Sequence, residues 1–356
     1  MSRRELPFVP GVLSRRQSLR TGESIAAEQE PSGAIPWFGG GHTDPWDHIE
    51  SAMALSATGL LDEAKAAYRW SASTQRPDGS WPRQFRLGVV EDAGTESNFC
   101  AYIATGVWHH LLCTGDTDFA REMWPTVRAA IDYVLELQGE HGQIYWARDD
   151  NGIFDEALLT GCSSMHHSIG CASALAGALG IERPDWESAR ARLGSAIRQR
   201  PEVFAVKDRY SMDWYYPILG GAITGDAGRA RIAERWRDFV VGNIGIRCVS
   251  DRPWVTGAET CELVMALDCL DERARALDLF AAMQHLREAD GSYWTGLVFA
   301  DGKRWPEERT TWTGAAVVLA ADALSRATPG SGIFRDAVFR DAVAGVTSTG
   351  AGYVIA

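Results

Sequence analysis

The sequence has no apolar run approaching the ~18 residues that a membrane-spanning helix requires. It has no positive excess either. Its 35 Lys and Arg stand against 47 Asp and Glu, for a net charge of −12. That balance argues against a nucleic-acid phosphate footprint and against docking on an anionic membrane. Its seven cysteines are scattered and contain no CxxC pair, which suits reduced thiols in a cytoplasmic protein. No GxSxG or HExxH motif and no glycine-rich phosphate loop occurs, and Gly39-Gly40-Gly41 is a lone run. The histidine pairs His109-His110 and His166-His167 lack Cys or carboxylate partners at ligand spacing. We therefore expect no metal and no cofactor.

The start of the chain carries two Arg-Arg pairs around a short apolar stretch broken by prolines. It reads poorly as a signal peptide. Residues 1–28 are expected as an arm on the surface, 29–345 as one catalytic domain and 346–356 as a tail.

What is abundant is more telling. Fourteen tryptophans are present, and aromatics in a cleft form the stacking walls that sugar rings prefer. A phrase recurs: a glutamine ending a helix-like run, a polar turn, a glycine, then an apolar residue. Its copies start at Gln29, Gln75, Gln138 and Gln284, reaching Gly33, Gly79, Gly142 and Gly291. Repetition at tens of residues signals one supersecondary unit used several times.

The units read as helical hairpins. Helices are expected at 45–58 and 60–74, 95–113 and 117–138, 157–179 and 184–199, 212–224 and 226–241, and 257–269 and 271–287. A last pair is expected at 308–326 with a weak segment near 333–344. The first helix of each pair is small, apolar and poor in charge; the second is amphipathic. An all-round apolar helix is buried, whereas an amphipathic one keeps a solvent face. Alternation over about six pairs predicts an all-α fold, an (α/α)6 toroid or six-hairpin barrel. Functional side chains should then gather where the inner helices begin.

That filter selects Trp37 and the stretch His42, Asp44, Trp46, Asp47, His48 and Glu50. Asp44 or Asp47 could serve the helix N-terminus as a cap or dipole partner. The filter also selects Glu259 and Glu262. Thr256 with Glu259 fits a capping box, whereas Glu262 falls among apolar residues, where burial would raise its pKa. Trp81, Glu96, Asp213, Trp214, Tyr215 and Trp312 complete the candidate substrate-binding set. Carboxylates facing one another across an aromatic funnel are what glycoside cleavage requires. Glu262 and Asp47 are the expected catalytic pair, with Glu50 as the substitute for Asp47.

Two resemblances bear on this reading. The phrase at Gln75–Trp81, echoed at Asp290–Trp294, resembles the repeat of terpene cyclases and prenyltransferase β subunits, but the DxDD motif of triterpene cyclases is absent. The stretches SGAIPW (32–37), DPWDHIESAMAL (44–55), QRPDGSWPRQF (75–85), TESNFCAYIATGVWH (95–109) and WTGAETCELVMAL (254–267) resemble a chiefly mycobacterial group often labelled prenyltransferase-like. Its member of known role is a methylmannose polysaccharide hydrolase. This resemblance implies an endo-acting α-1,4-mannosidase working on an oligosaccharide or polysaccharide, and inversion is the expected outcome. A terpenoid- or prenyl-handling enzyme, a sugar epimerase and a catalytically silent carbohydrate-binding toroid are the alternatives. Oligomeric state is not legible.

Overall fold

The structure, a computed structural model, describes residues 5–335. Six helices form a closed inner ring: α2 (Pro45–Thr58), α4 (Ser97–Thr114), α6 (Leu159–Ala178), α8 (Ser211–Leu219), α10 (Gly257–Cys269) and α12 (Thr311–Ser325). Each packs on the next, and α12 returns to α2. The outer layer is α3 (Leu61–Thr74), α5 (Thr117–Glu136), α7 (Pro184–Gln199), α9 (Gly225–Phe239), α11 (Arg273–Ala282) and α1 (Arg15–Glu28). The expected all-α (α/α)6 toroid is what the chain forms.

The inner–outer contrast follows from composition. Every residue of α2 is buried, since its small and apolar side chains offer no solvent face. α5 buries one stripe, Phe119, Met123, Val127, Ile131 and Val134 among it, and shows its charges to water.

One expectation needs correcting. Residues 15–28, expected within an arm on the surface, are helical. They form α1, opened by a Ser14–Gln17 capping box, and α1 packs on α12 as the sixth outer helix. Its distance in sequence from α12 hid the pairing. Most of the segment expected near 333–344 lies outside the described residues, as does the tail at 346–356, and residues 333–335 are turn.

The repeated glutamine stitches this outer layer. Gln29 Nε2 donates to Gly33 O (2.9 Å) and to Glu63 O on α3 (3.0 Å). Gln75 Nε2 repeats this on Gly79 O (2.9 Å) and Thr126 O of α5 (3.0 Å). Gln138 Nε2 does so on Gly142 O (3.0 Å) and Ala189 O of α7 (2.9 Å). Each outer helix end is thus pinned to the next outer helix. Gly79 must be glycine twice over: its φ is +93°, and an added Cβ would lie 2.2 Å from Ala129 O. The fourth copy, stretched in sequence, works differently. Gln284 bonds within its own helix end, while Gly291 O accepts from Thr21 Oγ1 of α1 at 2.9 Å.

The two faces of the toroid differ. Connections from inner to outer helices are short, such as residues 59–60 and 115–116. Connections from outer to inner helices are long and carry all the short antiparallel strands. His42–Thr43, Thr95–Glu96 and Trp254–Thr256 lead directly into α2, α4 and α10, and each belongs to one of three small sheets. The far end is sealed by residues 327–335. His167 Nε2–H donates to Ile333 O (2.8 Å), Phe334 packs on the His167 ring, and Arg335 and Arg326 both engage the buried Asp268 carboxylate. That segment closes the end of the ring opposite the first turns of the inner helices.

Candidate active site

Asp44 is the N-cap of α2. Its Oδ1 accepts from the backbone N–H of Trp46 and Asp47 at 3.0 Å each, and its Oδ2 accepts from Trp37 Nε1 at 2.8 Å. The cap role falls to Asp44, which leaves the Asp47 carboxyl free of it. Asp47 touches Asp44 through its side chain, and its pKa is raised well above the usual carboxylate range by burial and then by the charges of Asp44 and Glu50.

One turn deeper on α2 lies Glu50, 1% exposed. Its Oε2 accepts from Trp46 Nε1 (3.2 Å) and Tyr102 OH (3.4 Å). Oε1 has no bonded partner within hydrogen-bond distance among the described residues, and the indole N–H of Trp312 lies near enough to favour its charge. Burial pushes the Glu50 pKa to about 7, against the pull of Trp46, Tyr102 and Trp312.

Glu262 projects from α10 and is equally buried. Consecutive tyrosines of α8 clasp it. Tyr215 OH donates to Oε2, and Tyr216 OH donates to Oε1 at 2.8 Å. Its pKa is also raised well above normal, first by burial and then by the charge of Glu50. Burial and mutual charge raise all three pKa values, the direction that general-acid work requires.

Aromatic rings wall the cluster. Trp46 packs on Tyr102 (5.2 Å between centroids), Tyr216 (5.7 Å) and Phe99 (6.1 Å). Nearer the mouth, Trp37 lies against His42 (4.7 Å) and Trp312 (6.2 Å). Glu96 sits at the start of α4, paired with Arg83 (3.0 Å); burial lifts its pKa to about 7 despite that partner.

Glu259, in the first turn of α10, does not form the expected capping box. Thr256 makes no side-chain cap bond, and Glu259 Oε2 is buried without a partner. The backbone at Thr256 is instead committed to a sheet with residues 245–247 and 296–298.

Four expected site residues lie outside the carboxylate cluster. His48 faces α3: Nδ1 accepts from Ile35 N–H (3.0 Å) and Nε2–H donates to Ala67 O (3.0 Å). Both ring nitrogens are spent on backbone. Trp81 is buried against α3, its indole donating to Ser71 O at 2.9 Å. Trp214 stacks on Phe239 and donates to Arg231 O of α9. Asp213 accepts from Thr160 N–H and Oγ1–H at the start of α6, serving that uncapped helix end from a neighbouring helix. Asp213 and Trp214 line a separate cavity of about 460 Å3 beside α7 and α9. Sequence reasoning missed Tyr102, Tyr216 and Phe99. Tyr216 adjoins Tyr215, so its position was flagged; Tyr102 sits mid-helix with no local signal. His166, whose Nδ1–H donates to Gly220 O, and His167 are both committed to backbone carbonyls. Among the described residues no group of three or more His, Cys, Asp or Glu is arranged to hold a metal ion.

No family model matches the chain. It is 66% identical over 330 residues to "MMP endo-(1,4)-3-O-methyl-alpha-D-mannosidase" of Mycolicibacterium hassiacum, a match covering 93% of this chain and 92% of that protein. The chain belongs to that endo-mannosidase family. It is a glycoside hydrolase. Solved structures agree on the fold. A protein described as "Glycosidase Wild Type" superposes with a TM-score of 0.67 over 87% of this chain and 96% of its own, at 15% identity. An α-amylase from Clostridium perfringens reaches 0.62 over 86% and 97%, at 9% identity, and a D-mannose isomerase 0.63 over 88% and 98%, at 10%. At those identities the likeness speaks for the six-hairpin architecture alone, which the endo-mannosidase family member here builds with its own carboxylates.

Proposed function

We propose that this endo-mannosidase cleaves α-1,4 links inside a chain of 3-O-methylated mannose, with Glu262 as general acid and Asp47 as the base that activates water. One observation carries the reading: Asp47, Glu50 and Glu262, from α2 and α10, are buried within reach of one another's charge, which favours a protonated acid beside an ionised base. Glu262 gives its proton to the leaving glycosidic oxygen while Tyr215 and Tyr216 fix the carboxyl's direction. Asp47, freed from capping by Asp44, takes the proton of the attacking water. Glu50 lies between their charges and links the two protonations. The predicted outcome is inversion, by analogy with other six-hairpin glycosidases. Methyl ethers remove donors from the sugar and suit walls made of Trp46, Tyr102, Phe99, Trp37 and Trp312. No helix among the described residues is long and apolar enough to cross a membrane. The free, mostly buried cysteines suit a cytoplasmic setting.

Glu262→Gln and Asp47→Asn are each expected to lower kcat by roughly 10²–10⁴-fold with the fold intact. Release of reducing ends from a 3-O-methylmannose oligosaccharide measures this, and proton NMR of the first-formed anomer should show the β product. Near-normal turnover in Asp47→Asn with collapse in Glu50→Gln would move the base role to Glu50. The terpenoid reading rested on the glutamine repeat, and at 29, 75 and 138 those glutamines are spent joining outer helices.

A further inference from the structure

Among the described residues, the large apolar side chains left exposed lie on one face only. Leu87, Val89 and Val90 form the tip of the hairpin built on 84–86 and 89–92, with Leu87 and Val89 about two-thirds exposed. Ile153 and Phe154 end a second hairpin, and Trp305 follows a third, packed edge-on against Trp254. The remaining two, Val206 and Tyr210, sit in the loop entering α8. Every one is in an outer-to-inner connection, so all lie on the face where the inner helices begin, and Val206 also lines the separate cavity beside α7 and α9. Isolated exposed apolar residues need no explanation, but confinement of all of them to the rim of a site does.

The hairpins are also rigidly tied to that site. The 84–86 strand pairs with His42–Thr43, and His42 lies on Trp37 at the funnel wall. The strand before α4, which carries Glu96, pairs with 147–149.

We propose that this rim is a distal binding surface that reads the O-methyl groups of sugar residues flanking the scissile link. The inference rests on the endo-mannosidase reading above. An endo-acting enzyme must hold chain beyond the cleaved unit, and the 84–92 hairpin is joined through His42 to Trp37, whose indole binds Asp44 beside the carboxylates. Unmethylated mannose would present hydroxyls to Leu87, Val89 and Val90, whereas 3-O-methylmannose presents an apolar group. One buried methyl contact is worth about 4-fold in affinity, the equivalent of ~0.8 kcal/mol, so two lost contacts amount to roughly fifteenfold.

The test is a variant carrying Leu87→Asn, Val89→Thr and Val90→Thr, compared with wild type on 3-O-methylated and unmethylated α-1,4-oligomannosides of equal length. The asparagine suits the left-handed backbone at Leu87, where φ is 48°. The expected result is a KM raised about fifteenfold on the methylated substrate, an unchanged kcat, and less than a twofold change on the unmethylated one. Equal loss on both substrates, or no loss on either, would overturn the proposal. Conversion of a dimer to a monomer in sedimentation, with unchanged methyl preference, would overturn it too and assign the rim to a second copy. Calorimetric binding of the same oligosaccharides reads the rim without turnover. A wild type that binds with methyl preference but cuts nothing would fail the hydrolase reading and leave the rim assignment standing.

Discussion

Tyr216 tests the acid assignment at the scale of a single hydroxyl. Its hydrogen bond favours the ionised Glu262 carboxyl and so opposes the burial that raises the pKa. Tyr216→Phe should push that pKa further up, so the alkaline limb of the kcat/KM profile moves to higher pH. Activity governed by a general acid is lost as pH rises through the acid's pKa, so the variant should retain activity at pH values where wild type fails. A limb that stays fixed would detach Tyr216 from the acid. Glu50 allows a stability test. Its folded pKa of about 7 exceeds the usual 4.5, so the folded state binds the proton more tightly. The cost of burying its charge is absent below about pH 4.5 and complete above about pH 7, on the order of 3 kcal/mol at most. Glu50→Gln should therefore raise Tm relative to wild type more at pH 8 than at pH 5, and thermal melts at both pH values check it.

The elements show what local sequence could and could not reveal. Asp44, Pro45 and Gly59 bracket α2 with cap, first-turn proline and left-handed stop, all local signals, and the observed helix spans the expected residues. The alternation of apolar and amphipathic helices was equally readable, because burial acts on each helix's own residues. What was hidden depended on distant contacts. α1 acquires its role only against α12, across the whole chain, and Asp213 becomes a helix cap only because α6 starts beside α8. His48, Trp81 and Trp214 passed a filter based on distance along the helix, but their side chains point to the outer layer, which spacing alone does not report. At this scale the glutamine stitch makes a prediction. Gln75→Ala removes two hydrogen bonds between α3, its turn and α5 and should cost about 1–3 kcal/mol in urea unfolding. Gly79→Ala should cost at least as much, since it combines unfavourable φ with contact on Ala129 O.

Over the whole molecule, the toroid divides its work between two faces. The far face is built to close. Asp268 is 3% exposed and bound by Arg326 and Arg335, which fastens the 327–335 segment across the inner-helix ends. Removing one partner of a buried pair costs about 3–5 kcal/mol, less here because Arg326 is two-fifths exposed. Asp268→Asn should accordingly lower Tm with little change in KM. The near face is built to admit: long connections, three small sheets, and a funnel ending at Asp47, Glu50 and Glu262. The central claim is that these carboxyls cut a methylated mannan from within. Its most direct measurement is the size distribution of products over time from a 3-O-methylated α-1,4-mannan, for wild type and for Glu262→Gln. We predict early appearance of mid-length fragments with new reducing ends, reduced at least a hundredfold in the variant. Release of single sugars from one end only, or undiminished fragmentation by Glu262→Gln, would contradict the account.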